Sequence, residues 1–177
     1  MERTSVRVSS LIAFAIVVVV LGLYIGLINA QGLSEQPYVP RFVGGFLAVM
    51  AALILIALLP RPEIAPIRAP MRAAAAAVLL MLGVFAAFSI GTPLVVAGIL
   101  VTFALSRTQR TPRRGPARLS GLVVAALTVG ILIGGLDVTQ RVIVCPEQGQ
   151  SFGSGSALLS GSYAFECNNG QLTMHSG

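Results

Sequence analysis

The sequence predicts an all-α integral membrane protein: a bundle of about five transmembrane helices over residues 1–136, followed by a short, partly β exported tail over residues 137–177. Three observations lead to this fold class. The 177 residues are 55% hydrophobic and only 10% charged, which is too few charges for the surface of a soluble domain. Uncharged apolar runs of spanning length recur along the chain. Arginines flank these runs, as is usual beside membrane spans.

The first two spans are predicted near residues 9–30 and 42–60. About 20 apolar residues in a helix cross a hydrocarbon core of about 30 Å. The first run is longer than the apolar region of a signal peptide, which favours an uncleaved span over the alternative of a cleaved signal peptide. Residues 60–70 contain four prolines and predict an extended, polyproline-like loop, because proline lacks the N–H that a helix interior needs.

Residues 73–106 are too long for one ordinary span and short for two. Gly91-Thr92-Pro93 lies near their middle and predicts a turn. The stretch then forms either two short spans, near 73–90 and 93–106, or a re-entrant hairpin. A single long tilted helix is the third alternative, which is disfavoured because it would export the dense arginine cluster that follows. The last span is predicted near residues 119–136.

The arginines predict a multi-pass plasma-membrane protein with a cytoplasmic N-terminus and an external C-terminus. All twelve basic residues are arginine, and in this orientation only Arg41 and Arg141 lie outside. Five of the ten cytoplasmic arginines form the cluster that also selects the hairpin, so the independent count is five against two. The absence of lysine, together with many Ala, Gly, Val and Leu residues, indicates a GC-rich bacterial genome.

The tail changes character after residue 136 and predicts a small β unit. Residues 138–144 and 156–165 are its strand candidates, and residues 148–156 form a Gly/Ser-rich connection. Asn169-Gly170 is the signal for a tight turn.

Cys145 and Cys167 are the only cysteines of the chain, and both lie in the tail. An oxidising compartment permits a disulfide between them. Such a bridge contributes about 3 kcal/mol to a unit that is too small to fold on its own core. A redox-active pair is the alternative, which the absence of a C-x-x-C spacing disfavours.

Few side chains in the apolar runs carry chemistry, and Tyr24 is the one ionisable residue between their flanking charges. Ion-coupled transporters place acidic or basic side chains at membrane depth, and haem needs axial ligands such as histidine. The single His175 lies in the last residues, where terminal disorder is expected. We therefore predict no catalytic residues, no metal and no cofactor. The scatter of the arginines also argues against nucleic acid as a partner.

Two features predict interactions instead. G-x-x-x-G pairs occur in the first and last spans, at Gly22 and Gly26 and at Gly130 and Gly134, and such pairs let helices approach closely. They pack either this protein's own bundle or a partner's helix. The second feature is an arginine cluster that sets the orientation and can also contact anionic lipid headgroups, formed by Arg107, Arg110, Arg113, Arg114 and Arg118.

The leading functional hypothesis is a non-catalytic membrane component, an accessory subunit or assembly factor of a larger membrane complex. Its partners would be membrane lipids and other membrane-protein subunits. A facilitator or channel for a small neutral solute is the first alternative, with Ser89, Thr92 and Thr128 as the polar residues available for a path. A membrane-embedded lipid-modifying or thiol enzyme is the second alternative.

Overall fold

A computed structural model describes residues 4–31, 38–87, 90–108 and 115–176. In these ranges the chain forms five α-helices followed by a three-stranded antiparallel sheet, so the predicted helical architecture with a small, partly β C-terminal unit is confirmed. The helices are α1 (Thr4–Gln31), α2 (Tyr38–Leu58), α3 (Arg68–Phe85), α4 (Gly91–Thr108) and α5 (Gly115–Arg141). The strands are β1 (Gln150–Ala157), β2 (Gly161–Asn168) and β3 (Gln171–Ser176).

Among the described residues, four helices are long and apolar enough to cross a membrane. They contain Thr4–Ala30, Tyr38–Leu58, Arg68–Phe85 and Leu119–Arg141, whereas α4 is apolar over the shorter range Gly91–Arg107. The outward surface of the bundle has the same character. Leu11, Leu23, Leu122 and Ile131 of α1 and α5 are each at least 60% exposed. Length, composition and surface therefore fit a membrane location.

Four helices begin with a turn that contains proline. Pro40, Pro70 and Pro93 are each the third residue of their helix, in α2, α3 and α4, and Pro116 is the second residue of α5. The N–H groups of a first turn have no partner inside the helix, so proline is accepted there. The prediction of a wholly extended loop at residues 60–70 is therefore wrong. Pro62–Ile64 form a short 3-10 helix, and α3 already begins at Arg68.

Residues 73–106 belong to two helices and not to one, as the hairpin prediction requires. Helix α3 ends at Phe85 and α4 begins at Gly91, so the predicted turn at Gly91-Thr92-Pro93 instead forms the start of α4. Glycines set the distance between these helices. A Cβ atom on Gly83 would lie 2.9 Å from the backbone nitrogen of Val95, and one on Gly98 would lie 2.8 Å from Cγ of Leu80. The close contact between α3 and α4 therefore depends on the missing side chains.

The central helix of the bundle is α3. It packs against α2, α4 and α5, while α1 packs against α2 and α4. Residues 73–77 are five consecutive alanines, and the first four of them are buried. Their short side chains allow the backbones of neighbouring helices to come close on several sides of α3. The larger core side chains around them include Leu47, Ile54, Leu79, Leu94 and Val101.

Successive helices run in opposite directions, which gives the bundle two ends. Tyr24, Ile90 and Gln140 line one cleft, so the last part of α1, the α3–α4 connection and the last turn of α5 lie together. We call this the tail end. At the opposite end, called the N-terminal end, Arg72 near the start of α3 contacts Ala57 near the end of α2.

The tail is a meander in which β2 pairs with β1 on one side and with β3 on the other. Asn169 and Gly170 connect β2 to β3 with φ values of 46° and 83°, which confirms the predicted Asn-Gly turn. Two other assignments are wrong. Residues 138–144 contain no strand, because α5 continues to Arg141, and the Gly/Ser-rich residues 148–156 include most of β1. The strand candidate at residues 156–165 is right in part, because it contains the first half of β2 but also the β1–β2 turn.

His175 also differs from its prediction. It lies in β3, where it pairs with Ala164 of β2, and is not terminal disorder.

We expect Gly83→Ala to destabilise the bundle by about 1–3 kcal/mol, because the added methyl group overlaps the backbone of α4. The matched control is Gly130→Ala in α5, where a Cβ atom meets nothing within 4 Å. This control should be neutral or stabilise by up to about 1 kcal/mol, since alanine has the higher helix propensity. Loss of helical circular dichroism during denaturing-detergent titration measures both. Equal stabilities of the two variants would contradict the close packing of α3 and α4.

Candidate functional site

The buried face of the tail sheet is built from glycines on β1 and aromatic rings on β2. Gly153 pairs with Phe165, and Gly155 pairs with Tyr163. A Cβ atom on either glycine would lie 2.6 Å from the side chain of its partner, so the rings lie across the bare backbone of β1. This explains why a Gly/Ser-rich segment forms a strand. The rings complete a small core with Ile143, Ala157 and Cys167.

The predicted disulfide joins Cys145 and Cys167, whose Cα atoms are 5.5 Å apart. Cys167 is fully buried in the middle strand, and Cys145 lies in the segment that follows α5. The bond therefore ties the sheet to the end of the last helix. Closing a loop with a separation of 22 residues contributes about 3 kcal/mol.

Hydrogen bonds from the last turn of α5 hold the turn between β1 and β2, residues 158–160. One carboxylate oxygen of Asp137 accepts hydrogen bonds from the backbone N–H of Leu159 at 2.8 Å and of Ser160 at 3.1 Å. The other accepts one from the Ser160 hydroxyl. Arg141 donates to the Ser160 carbonyl at 3.1 Å. Asp137 is buried, so the acid that closes the last apolar run attaches the tail to the bundle.

A second contact lies beside this one. The Tyr163 hydroxyl donates to the backbone carbonyl of Gln140 at 2.6 Å. Because α5 ends at Arg141, no later N–H of the helix can donate a hydrogen bond to the Gln140 carbonyl. The Tyr163 hydroxyl is the donor instead. The helix end and the sheet thus satisfy each other's polar groups.

Between the sheet and the tail end of the bundle lies a cleft of about 430 Å³. We call it the tail-end cleft. Four helices contribute to it, α1, α2, α3 and α5, together with Ala86 and Ile90 from the α3–α4 connection. Its roof comes from the end of β1 and the β1–β2 turn. Most of the lining is apolar, from Val43, Leu82, Phe85, Ala86, Ile90, Leu136 and Leu158.

Three polar residues also line the tail-end cleft: Tyr24, Gln140 and Ser156. The side-chain oxygen of Gln140 is buried and accepts no hydrogen bond from the described residues. Among the described lining residues there is no Asp, Glu, His, Lys or Arg. The site is therefore apolar, with neutral hydrogen-bonding groups and no charge.

The N-terminal end of the bundle has a different chemistry. Arg68 donates to the carbonyl oxygens of Leu59 and Arg61, at 2.5 and 3.1 Å. Arg72 is only 1% exposed and donates to the Ala57 carbonyl at 3.5 Å. These carbonyls lie in and just after the last turn of α2, where helical acceptors lack partners and positive charge is favourable. Arg72 therefore does not snorkel to an interface as an exposed flanking residue; it contributes to the contact between α2 and α3.

The four glycines of the predicted G-x-x-x-G pairs lie on the outside of the bundle. A Cβ atom on Gly22, Gly26, Gly130 or Gly134 would meet no atom within 4 Å. Close packing inside this chain is provided by other glycines, Gly83 and Gly98 among them. Contact of the predicted pairs with a partner's helix stays a prediction.

The arginine cluster is only partly within the described residues. Arg107 lies at the end of α4, with its guanidinium carbon 4.9 Å from the centre of the Phe103 ring. Arg110, Arg113 and Arg114 lie outside the described residues, and the side chain of Arg118 lies outside them as well. Contact of this cluster with lipid headgroups stays a prediction.

Metal and thiol chemistry have little support in the part of the chain that the structure describes. No group of three or more His, Cys, Asp or Glu residues in it is close enough to hold a metal ion. Both cysteines are bonded to each other in the disulfide. Comparison with models of known protein families, with curated proteins and with solved structures gave no match.

Among the residues that build this site, sequence reasoning finds Tyr24 and the two cysteines but not Asp137 or Gln140. Asp137 directly follows the last predicted span, and Gln140 lies in the strand candidate at residues 138–144. The one available signal is an acid directly after an apolar run, with a serine shortly after the Gly/Ser-rich residues 148–156. Such a signal does not identify its partner, because the residues are more than 20 positions apart.

We expect Asp137→Ala to release the β1–β2 turn, because two N–H groups and a hydroxyl lose their acceptor. Chymotrypsin should then cut after Leu158 or Leu159 severalfold faster than in the unaltered protein, with mass spectrometry locating the cuts. Asp137→Asn should be intermediate, since an amide still offers one acceptor oxygen and its NH₂ can donate to the serine hydroxyl. The control is Glu166→Ala on the exposed face of β2, and cleavage as fast in it as in Asp137→Ala would contradict the assignment.

Proposed function

We propose that this chain is a non-catalytic component of a larger membrane complex, acting as an accessory subunit or assembly factor through its tail sheet. One observation carries the proposal. The sheet is attached to the bundle by a disulfide and by hydrogen bonds, while its outer face presents Phe152 with 88% of its surface exposed. A rigid support and an exposed aromatic anchor are typical of protein–protein contact sites.

Apart from Ala164, the outer face around Phe152 is polar. Phe152 pairs with Glu166 of β2, which pairs in turn with Thr173 of β3. The neighbouring row contains Ser154, Ala164 and His175. A single exposed ring surrounded by hydrogen-bonding groups resembles a contact hot spot with a polar rim. The partner on this face would offer an apolar pocket for the ring.

The proposal includes a topology in which the N-terminal end faces the cytoplasm and the tail lies outside the plasma membrane. Supporting it, Arg61, Arg68, Arg72 and Arg107 all belong to connections or helix ends at the N-terminal end. Short connections with excess arginine stay in the cytoplasm. The disulfide supports the same orientation, because the tail then lies in an oxidising compartment.

Two further contacts belong to this proposal. The cluster of Arg107, Arg110, Arg113, Arg114 and Arg118 would meet anionic headgroups of the inner leaflet, at about 1 kcal/mol for each residue near the surface. The open glycine faces of α1 and α5 would accept a helix of the partner.

The two alternative functions have weaker support. For a solute path, Thr128 donates its hydroxyl to the Val124 carbonyl of its own helix, Thr92 is exposed, and Ser89 lies outside the described residues. A thiol enzyme would need an accessible sulfur, whereas Cys167 is fully buried in the disulfide. We therefore favour the interaction role.

The topology predicts opposite accessibility for two introduced cysteines. Ser154→Cys on the outer face of β1 should react with an impermeant maleimide in intact cells. Glu63→Cys in the α2–α3 connection should react only after the membrane is permeabilised. The unaltered protein, whose cysteines are bonded to each other, is the unlabelled control. The reverse pattern would contradict the proposed orientation.

The subunit proposal predicts a discrete cross-linked protein when benzoylphenylalanine replaces Phe152 in native membranes. The control places the same photoreactive residue at Leu159, which is 70% exposed but lies in the turn beside the helices. That position should give no protein adduct. Phe152→Ser should also reduce co-purification of the captured protein. A protein that forms no adduct at position 152 and purifies alone would exclude the accessory role.

A further inference from the structure

The tail-end cleft has the size and the chemistry of a ligand site. Its volume of about 430 Å³ is within the range of about 300–1,000 Å³ that is usual for small-molecule pockets. Its walls are largely apolar, and the few polar residues belong to α1, α5 and β1. Apolar walls with a small number of polar groups are the usual composition of a pocket that orients its ligand.

Gln140 gives the cleft an unsatisfied hydrogen-bond acceptor. Its side-chain oxygen is buried but receives no hydrogen bond from the described residues, which is unfavourable unless a donor is supplied. The backbone of Gln140 is fixed, because its carbonyl accepts the hydrogen bond from Tyr163. A ligand hydroxyl would supply the missing donor once rotation of the Gln140 side chain turns this shielded oxygen into the cleft. It could also bond to the hydroxyl of Tyr24, which acts as either donor or acceptor.

The lining also decides which headgroups are excluded. None of the described lining residues is Asp, Glu, His, Lys or Arg, so a buried phosphate or carboxylate would have no counter-charge there. The ligand is therefore neutral. At the mouth of the cleft, Phe85 and Leu158 are each about half exposed, at 47% and 50%. They offer an apolar path along which a hydrocarbon chain can leave towards a bilayer.

We propose that the tail-end cleft binds a neutral membrane lipid with a free hydroxyl head. The hydroxyl group hydrogen-bonds to the Gln140 amide, and the first part of the hydrocarbon chain lies against Leu82, Phe85 and Leu136. This inference goes beyond the subunit role and does not depend on any protein partner. It depends on the bundle lying in a membrane with its tail end at the surface.

The absence of tryptophan from the chain permits a direct test with an introduced fluorophore. Phe85→Trp places the reporter in the cleft. Val84→Trp, one position earlier and 67% exposed, places it on the outer surface as the matched control. Both full-length proteins are reconstituted in phosphatidylcholine vesicles and titrated with terminally brominated hexadecanol, whose bromine quenches nearby tryptophan. The comparison probes are brominated hexadecane, which has no polar headgroup, and brominated palmitate, which has an anionic one.

We expect brominated hexadecanol to quench Phe85→Trp saturably at low mole fraction, and Val84→Trp only in proportion to its bulk concentration. In the Phe85→Trp background, Gln140→Met should weaken the saturable binding about fivefold by removing one hydrogen bond. Methionine keeps the chain length and the backbone carbonyl that Tyr163 needs. Slow chymotrypsin cleavage at residues 158–159 verifies that the tail of this variant is still docked.

Three results would overturn the proposal. The first is equal, non-saturable quenching of the two reporters. The second is binding of brominated hexadecane or palmitate as tight as that of the alcohol. The third is unchanged affinity for the alcohol in a correctly docked Gln140→Met protein. None of these results bears on the cross-linking test at Phe152, so the two proposals can fail separately.

Discussion

The arrangement of the bundle depends on the close approach of α3 and α4. This approach is possible because glycines, which have no side chain, lie at the contact between the two helices. In lipid, apolar helices gain little by burying one more apolar surface, so close van der Waals packing of backbones has to provide the association. Gly83 and Gly98 bring the two backbones together, and the alanines at 73–77 keep α3 thin on its other sides. A thin central helix can be surrounded by α2, α4 and α5, with α1 completing the bundle beside α2 and α4.

The two ends of this bundle satisfy their free polar groups in different ways. At the N-terminal end, Arg68 and Arg72 donate to carbonyls at the end of α2, where positive charge suits the helix dipole. At the tail end, Asp137 accepts hydrogen bonds from the β1–β2 turn, and Tyr163 donates to the last turn of α5. The second arrangement joins a sheet to the bundle and leaves the tail-end cleft between them. The same contacts thus fix the position of the sheet and form the roof of the tail-end cleft.

The tail sheet would have little stability without these attachments to the bundle. Three short strands bury only a small core, and its largest members are the two rings that lie over glycine. The disulfide and the contacts of the last turn of α5 add the remaining stabilisation from both ends of the unit. This explains how a segment rich in Gly and Ser, weak strand formers by propensity, pairs in a regular ladder.

The features that the sequence determined by itself are those with a local cause. Apolar length predicted helices of spanning length, arginine-rich connections predicted a hairpin at residues 73–106, and Asn169-Gly170 predicted its turn because both residues accept positive φ. The pairing of Cys145 with Cys167 followed from there being no other cysteine. Tertiary structure alone decided the rest. Four features depend on residues that are distant in the chain. They are the close packing of particular glycines, the burial of Arg72, the helical conformation of residues 138–141 and the strand at 150–157. The cleft was also decided by tertiary structure alone. Tyr24, Gln140 and Ser156 line one cleft only because the ends of separate helices and the sheet lie together in the folded chain.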